Sequence, residues 1–113
     1  MGKKDYQQLY LIKKHVVKRK INTKIVECET IREKNGVACS SRNYRLNLKP
    51  TKIASKIFNY LKKIKDKFNF INPNLLKKEI IKLGANKIDY IEFYNIRNFK
   101  RSKKLDKNNR IFI

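Results

Sequence analysis

Apolar positions recur at helical spacing in three stretches of this chain and gather as short strands in three others. Tyr6, Leu9, Ile12, Val16 and Val17 fall at intervals that place them on one face of a helix. Asp5 stands at a capping position. Lys13, Lys14, Lys18, Arg19 and Lys20 fill the opposite side and the end, where cations suit the helix dipole. The pattern predicts a helix from Asp5 to about Lys18. The clearest stripe follows Pro50, a good first-turn residue: Ile53, Ala54, Ile57, Phe58, Leu61, Ile64 and Phe68 recur at three and four. A third helix carries its own punctuation. Asn72 is a cap, Pro73 a first-turn residue, Leu75, Leu76, Ile80 and Leu83 the buried side, and Gly84 the stop.

The strand signals are shorter. Lys24 to Cys28 and Ile88 to Tyr94 are rich in β-branched and aromatic residues. Arg110 to Ile113 reads as a strand that begins where the chain stops, joined to the preceding one by a basic connection over 97–107. A single strand after the first helix cannot make a sheet alone, and a terminal Ile-Phe-Ile leaves an edge strand unpaired or a hairpin half built. Both ends therefore read as cut. Glu33 to Leu48 has no sustained period and reads as a long ordered loop, a kind of segment that is usually functional.

Composition narrows the class. The chain has 113 residues, enough for one small domain with a modest core. Its net charge of +21 would ordinarily point to nucleic acid or an anionic membrane. The excess is mostly Lys, spread along the whole chain beside abundant Ile and Asn, the mark of AT-rich coding bias. Nucleic acid is therefore not the expected partner, and a small basic nucleic-acid-binding protein or a non-catalytic relic stands only as the alternative. Cys28 and Cys39 lack CxxC spacing and His15 has no neighbouring ligands in sequence, so no metal site is expected. There is no apolar run long enough for a membrane span and no signal peptide. Two reduced cysteines then fit a cytoplasmic protein.

Two segments carry chemistry. Gly2-Lys3-Lys4-Asp5-Tyr6-Gln7-Gln8-Leu9 places a glycine, two ammonium groups and an acid at a helix start, where free backbone N–H groups attract anions. In Arg32-Glu33-Lys34-Asn35-Gly36-Val37-Ala38-Cys39-Ser40-Ser41-Arg42-Asn43, two hydroxyls and a guanidinium follow a glycine-containing turn. Those are donors suited to phosphate oxygens.

In this order and at this separation, the two segments resemble the second half of the pantoate–β-alanine ligases (pantothenate synthetases). There, a Gly-x-Lys-Asp-Tyr-Gln-Gln segment leads into a helix, and a strand delivers an Arg-x-x-x-Gly-x-Ala-x-Ser-Ser-Arg-Asn loop. The resemblance covers essentially the whole chain. It implies an α/β fold in which residues 1–29 are the last helix and strand of a Rossmann-like ATP-binding domain. Residues 30–113 would form a small α+β C-terminal domain with the phosphate loop, incomplete at its C-terminus.

The implied reaction joins pantoate to β-alanine through a pantoyl-adenylate intermediate, with ATP, as Mg-ATP, giving AMP and pyrophosphate. By position, Gly2, Lys3, Lys4, Asp5, Ile31, Cys39, Ser40, Ser41 and Arg42 would contact ATP. Lys4, Ser40, Ser41 and Arg42 would carry the catalytic charge, the Ile31 backbone would meet adenine, and Gln8 would hold pantoate. The family's Met-x-x-Leu-His-x-Gly-His segment is absent from these residues. A complementing N-terminal half is thus an implied partner, a homodimer the implied assembly of the complete enzyme, and this chain alone is expected to be inactive. Lys3 stands where the family usually has Glu, Cys39 where it has Met or Leu, and Arg45-Leu46-Asn47 where it has Tyr-Leu-Ser. None of these changes removes a phosphate donor.

Overall fold

The alternation of side chains along one central strand sets the architecture. In a computed structural model describing residues 1–67 and 71–113, Glu92–Asn95 forms β1, Arg101–Ser102 forms β2 and Asn109–Phe112 forms β3, an antiparallel sheet in the order β2-β1-β3. Successive residues of a strand face opposite sides of a sheet. Phe93 pairs with Ile111 on one side, while Tyr94 pairs with Arg110 and Glu92 with Phe112 on the other.

The Phe93 side carries the main core. It packs with Ile64 of helix α2 (Leu48–Lys67), with Leu76 and Ile80 of helix α3 (Pro73–Lys82), and with Ile88, Ile91 and Leu105. Phe93 and Leu76 are completely inaccessible to solvent, and burial of such side chains stabilises by about 1.5–3 kcal/mol each. The α3 punctuation is as the sequence predicts. Asn72 Oδ1 accepts the Leu75 N–H at 2.8 Å, Pro73 opens the helix, and Gly84 follows it at φ +115°. Phe68, the last member of the predicted α2 stripe, lies outside the described residues.

Helix α1 (Tyr6–Lys18) joins the opposite side of the sheet through an aromatic layer. Tyr10 stacks on Phe99 with centroids 5.0 Å apart, and Phe99 stacks on Tyr94 at 4.8 Å. Phe112 meets Tyr94 edge-on at 5.4 Å and Tyr6 at 6.4 Å. Tyr6 and Tyr10 donate their hydroxyls to the Ile96 and Asn98 carbonyls. The Arg110 guanidinium lies 4.5 Å from the Tyr6 ring centroid and donates to the Lys3 carbonyl. Phe99 takes φ +55° in the β1–β2 turn; left-handed backbone costs a non-glycine residue about 1–2 kcal/mol. Its ring, sandwiched between Tyr10 and Tyr94, holds it there.

The structure departs from the sequence reading in four places. The Lys24–Cys28 stretch is extended but belongs to no sheet, and its backbone pairs with the N-terminal segment. Cys28 N–H donates to Met1 O and Lys3 N–H to Cys28 O, each at 2.8 Å, around a parallel Gly2–Cys28 bridge. The predicted 88–94 strand pairs only from Glu92 onward; Ile88 and Ile91 precede the ladder and pack their side chains in the same core. Within the 97–107 connection lie β2 and the buried Leu105, too brief to leave a periodic signal. Asp5 makes no capping hydrogen bond, since Lys3–Asp5 winds as a 3₁₀ turn ahead of α1. Among the described residues no helix is long and apolar enough to cross a membrane.

Candidate functional site

The predicted loop begins as a tight reversal. Cys39 N–H donates to Ile31 O at 2.9 Å, Glu33 N–H to Val37 O at 2.8 Å, and Gly36 N–H to Glu33 O at 2.9 Å. Gly36 sits at φ +87°, and a Cβ built there would lie 2.4 Å from Phe58 Cδ1 of α2. Only glycine permits both that backbone and that approach. Arg32 clamps the turn by donating to Gly36 O at 3.0 Å while its guanidinium lies 4.0 Å from the Phe58 ring centroid. Ser55 of α2 donates to Asn35 O. The reversal is thereby bolted to α2.

From this base the chain presents its donors. Ser40 caps the 3₁₀ turn Ser41–Arg45, its Oγ accepting the Arg42 N–H at 3.3 Å. Asn43 Nδ2 donates to Glu33 Oε1 at 3.1 Å and to Ala38 O at 3.0 Å, crossing the base of the loop. Apart from the Ser40 oxygen, these bonds use backbone, amide and carboxylate groups. The Ser41 and Arg42 side chains are exposed and, among the described residues, have no hydrogen-bond or ion-pair partner. Cys39, Ser40 and Ser41 line a cleft of about 570 Å³, with Glu33, Tyr44 and Thr51 completing its wall. The Glu33 carboxylate there is engaged by Asn43.

The first segment reaches this loop through one side chain. Lys4 Nζ lies 3.5 Å from Cys39 O, across 35 positions of sequence. Ile31 joins the same place through its carbonyl on Cys39, leaving its side chain 77% exposed. Lys3 is held elsewhere. It is ion-paired with Glu29 and lies 4.0 Å from Glu27, and the Glu29 hydrogen bond raises its pKa. Lys13 in turn hydrogen-bonds Glu27 and holds that carboxyl below its usual range.

Gly2 has an ordinary extended backbone, and a Cβ there would meet nothing within 4 Å. Nothing in the chain itself requires glycine at that position. Asp5 and Gln8 are exposed, and no contact among the described residues ties Gln8 to the loop. The structure thus gathers Lys4, Cys39, Ser40, Ser41 and Arg42, with Ile31 at the margin. Two hydroxyls lining the cleft, with the Lys4 ammonium beside Cys39 and the Arg42 guanidinium next in sequence, make a donor set that can bind an anion with several oxygens. The roles of Arg32 and Asn43 were not assigned from sequence. A short amide side chain inside a polar loop commonly bonds nearby backbone, which is the signal that Asn43 offered.

Residues 1–113 match the family model described as pantoate-beta-alanine ligase. A pantothenate synthetase of Flavobacterium psychrophilum is 38% identical over 111 residues, covering 95% of this chain and 39% of that protein. The crystal structure of a Thermus thermophilus pantothenate synthetase has the same fold, with a TM-score of 0.80 at 23% identity over 98% of this chain and 42% of that one. The pantoate-beta-alanine ligase of Francisella tularensis, crystallised with β-γ ATP and β-alanine, gives a TM-score of 0.64 at 35% identity over 97% of this chain and 40% of its own. The chain spans about 39% of the length of the Flavobacterium relative. With its whole length matching the family model, this chain belongs to the pantoate-beta-alanine ligase family, a family of enzymes.

Proposed function

We propose that this chain supplies the phosphate-binding half of an ATP-dependent ligase of pantoate and β-alanine. The observation that carries the reading is the 3.5 Å approach of Lys4 Nζ to Cys39 O, which brings the two anion-binding segments to one place. In this reading the pantoate carboxylate attacks the α-phosphorus of ATP, giving pantoyl adenylate and releasing pyrophosphate. The β-alanine amine then attacks the acyl carbon, forming pantothenate and releasing AMP. No covalent bond to the protein is needed, so positioning and preorganised charge carry the rate.

In this reading Lys4 and Arg42 neutralise phosphate oxygens of the bound nucleotide. Ser40 keeps its hydroxyl proton to donate, because its oxygen only accepts within the loop, and Ser41 adds a second neutral donor. The Ile31 backbone and Cys39 border the nucleotide, and Gln8 offers a donor and an acceptor to pantoate. At Gly2 the missing side chain leaves the backbone open to a bound group, with Lys3 and Asp5 on its flank. Among the described residues no group of three or more His, Cys, Asp or Glu could hold a metal ion. In this reading Mg²⁺ enters as part of the substrate Mg-ATP. Residues 1–29 would close a Rossmann-like domain and 30–113 form the C-terminal domain of a cytoplasmic, homodimeric enzyme.

An AMP-release assay with pantoate, β-alanine and Mg-ATP tests this. The chain alone is expected to turn over little. Adding a polypeptide that supplies the portion of the relatives this chain does not span should restore activity. In that pair Arg42→Ala should lower adenylation by roughly 10²-fold, the cost of one preorganised donor. Rapid turnover by the isolated chain would overturn the half-site reading, and an unchanged rate in the variant would remove Arg42 from the site.

A further inference from the structure

A second cavity lies on the other side of α1, in a groove of about 510 Å³ between that helix and the Ile96–Arg97 turn. We propose that this groove binds a small organic anion with an apolar body, at a site separate from the loop cleft. Its volume falls within the roughly 300–1,000 Å³ of small-molecule sites.

Two hydrogen bonds join the walls. Tyr6 donates to Ile96 O at 2.8 Å and Tyr10 to Asn98 O at 3.2 Å, so helix and turn are tied together at two points. Between them the floor is apolar: Leu9 is 1% exposed at the bottom, while Val17 and Ile96 remain 78% and 39% exposed. The rim is cationic. The carboxylate lining the groove, Glu27, is taken by Lys13. That leaves Lys14, Lys18 and Arg97 without a carboxylate partner among the described residues. Lys14 and Lys18 stand one helical turn apart, close enough to share one carboxylate or sulfonate.

Charge and floor together select the ligand. A neutral apolar molecule would leave the cations to water, and a bare polyanion would leave the floor uncovered. A carboxylate on an aromatic or branched aliphatic body satisfies both. The groove also stands apart from the catalytic reading, since Tyr6, Tyr10, Lys13 and Val17 lie on the side of α1 away from Gln8 by the 3.6-residue period.

The test is two-dimensional amide NMR of the full chain titrated with 4-phenylbutyrate and, separately, with its uncharged amide. The carboxylate should shift the signals of Tyr10, Val17, Ile96 and Arg97 and bind about fivefold more tightly than the amide, the scale of one exposed ion pair. Replacing both lysines (Lys14→Gln with Lys18→Gln) should abolish that preference while leaving the rest of the spectrum in place. Equal affinity for the two compounds would overturn the proposal. So would shifts concentrated on residues 39–42, or no shifts at millimolar concentration. None of these readouts depends on ATP binding or turnover, so the groove can fail while the ligase reading stands.

Discussion

At Gly36 a single hydrogen atom in place of a methyl group decides whether the loop can meet α2. The φ of +87° and the 2.4 Å approach of Phe58 act together. Gly36→Ala should therefore destabilise by about 2–4 kcal/mol, the sum of left-handed strain and forced repacking. Urea denaturation would read this as a lower midpoint, and an unchanged midpoint would show that Phe58 yields freely. Glu27 makes a different residue-scale prediction. Its carboxyl titrates below the usual range because Lys13 hydrogen-bonds the charged form. Its contribution is thus present above the ordinary carboxylate pKa and is lost as pH falls through the lowered folded value. The fall in melting temperature between about pH 5 and about pH 3 should be smaller in Glu27→Gln than in the parent. An identical fall would assign acid sensitivity to other carboxylates.

Elements differ in how locally they are specified, and that governed what the sequence revealed. Helix α3 was legible because Asn72, Pro73 and Gly84 act within a few residues of each other. Asn72→Ala should cost about 1 kcal/mol, measured by denaturation, and Asn72→Asp should recover most of it. Strand β2 could not be seen, since two residues carry no period and what defines them is pairing to Phe93 and Tyr94. The 24–28 segment was legible as extended chain, yet its pairing with Met1 and Lys3 depends on where α1 returns the backbone. The same division runs through the site. Ser40, Ser41 and Arg42 were visible as consecutive donors. The joining of Lys4 to them was legible only through the resemblance, because in the structure it rests on the Gly2–Cys28 bridge, a pairing that no local pattern announces.

Across the whole molecule, two layers of different character share one sheet. The Phe93 side is aliphatic and buried, drawn from residues 57–111. The Tyr94 side is aromatic and partly exposed, and it binds a helix from the other end of the sequence. Contacts such as Tyr6 with Phe112 are partly exposed and join distant parts of the chain, so they open more readily than the buried core. Lys4 sits in the 3₁₀ turn that leads into the aromatic layer's helix, whereas Arg42 follows the turn that is bolted to α2 at Gly36.

The candidate site is therefore an equilibrium as well as a shape. A ligand whose phosphates span Lys4 and Arg42 can bind fully only while α1 is docked, and by linkage it must favour the docked state. Hydrogen exchange would show it: saturating Mg-ATP should slow exchange of the α1 amides and leave those of α3 unchanged. In that sense the nucleotide would act as a strap, and the ease with which α1 lifts away would limit how tightly ATP is held.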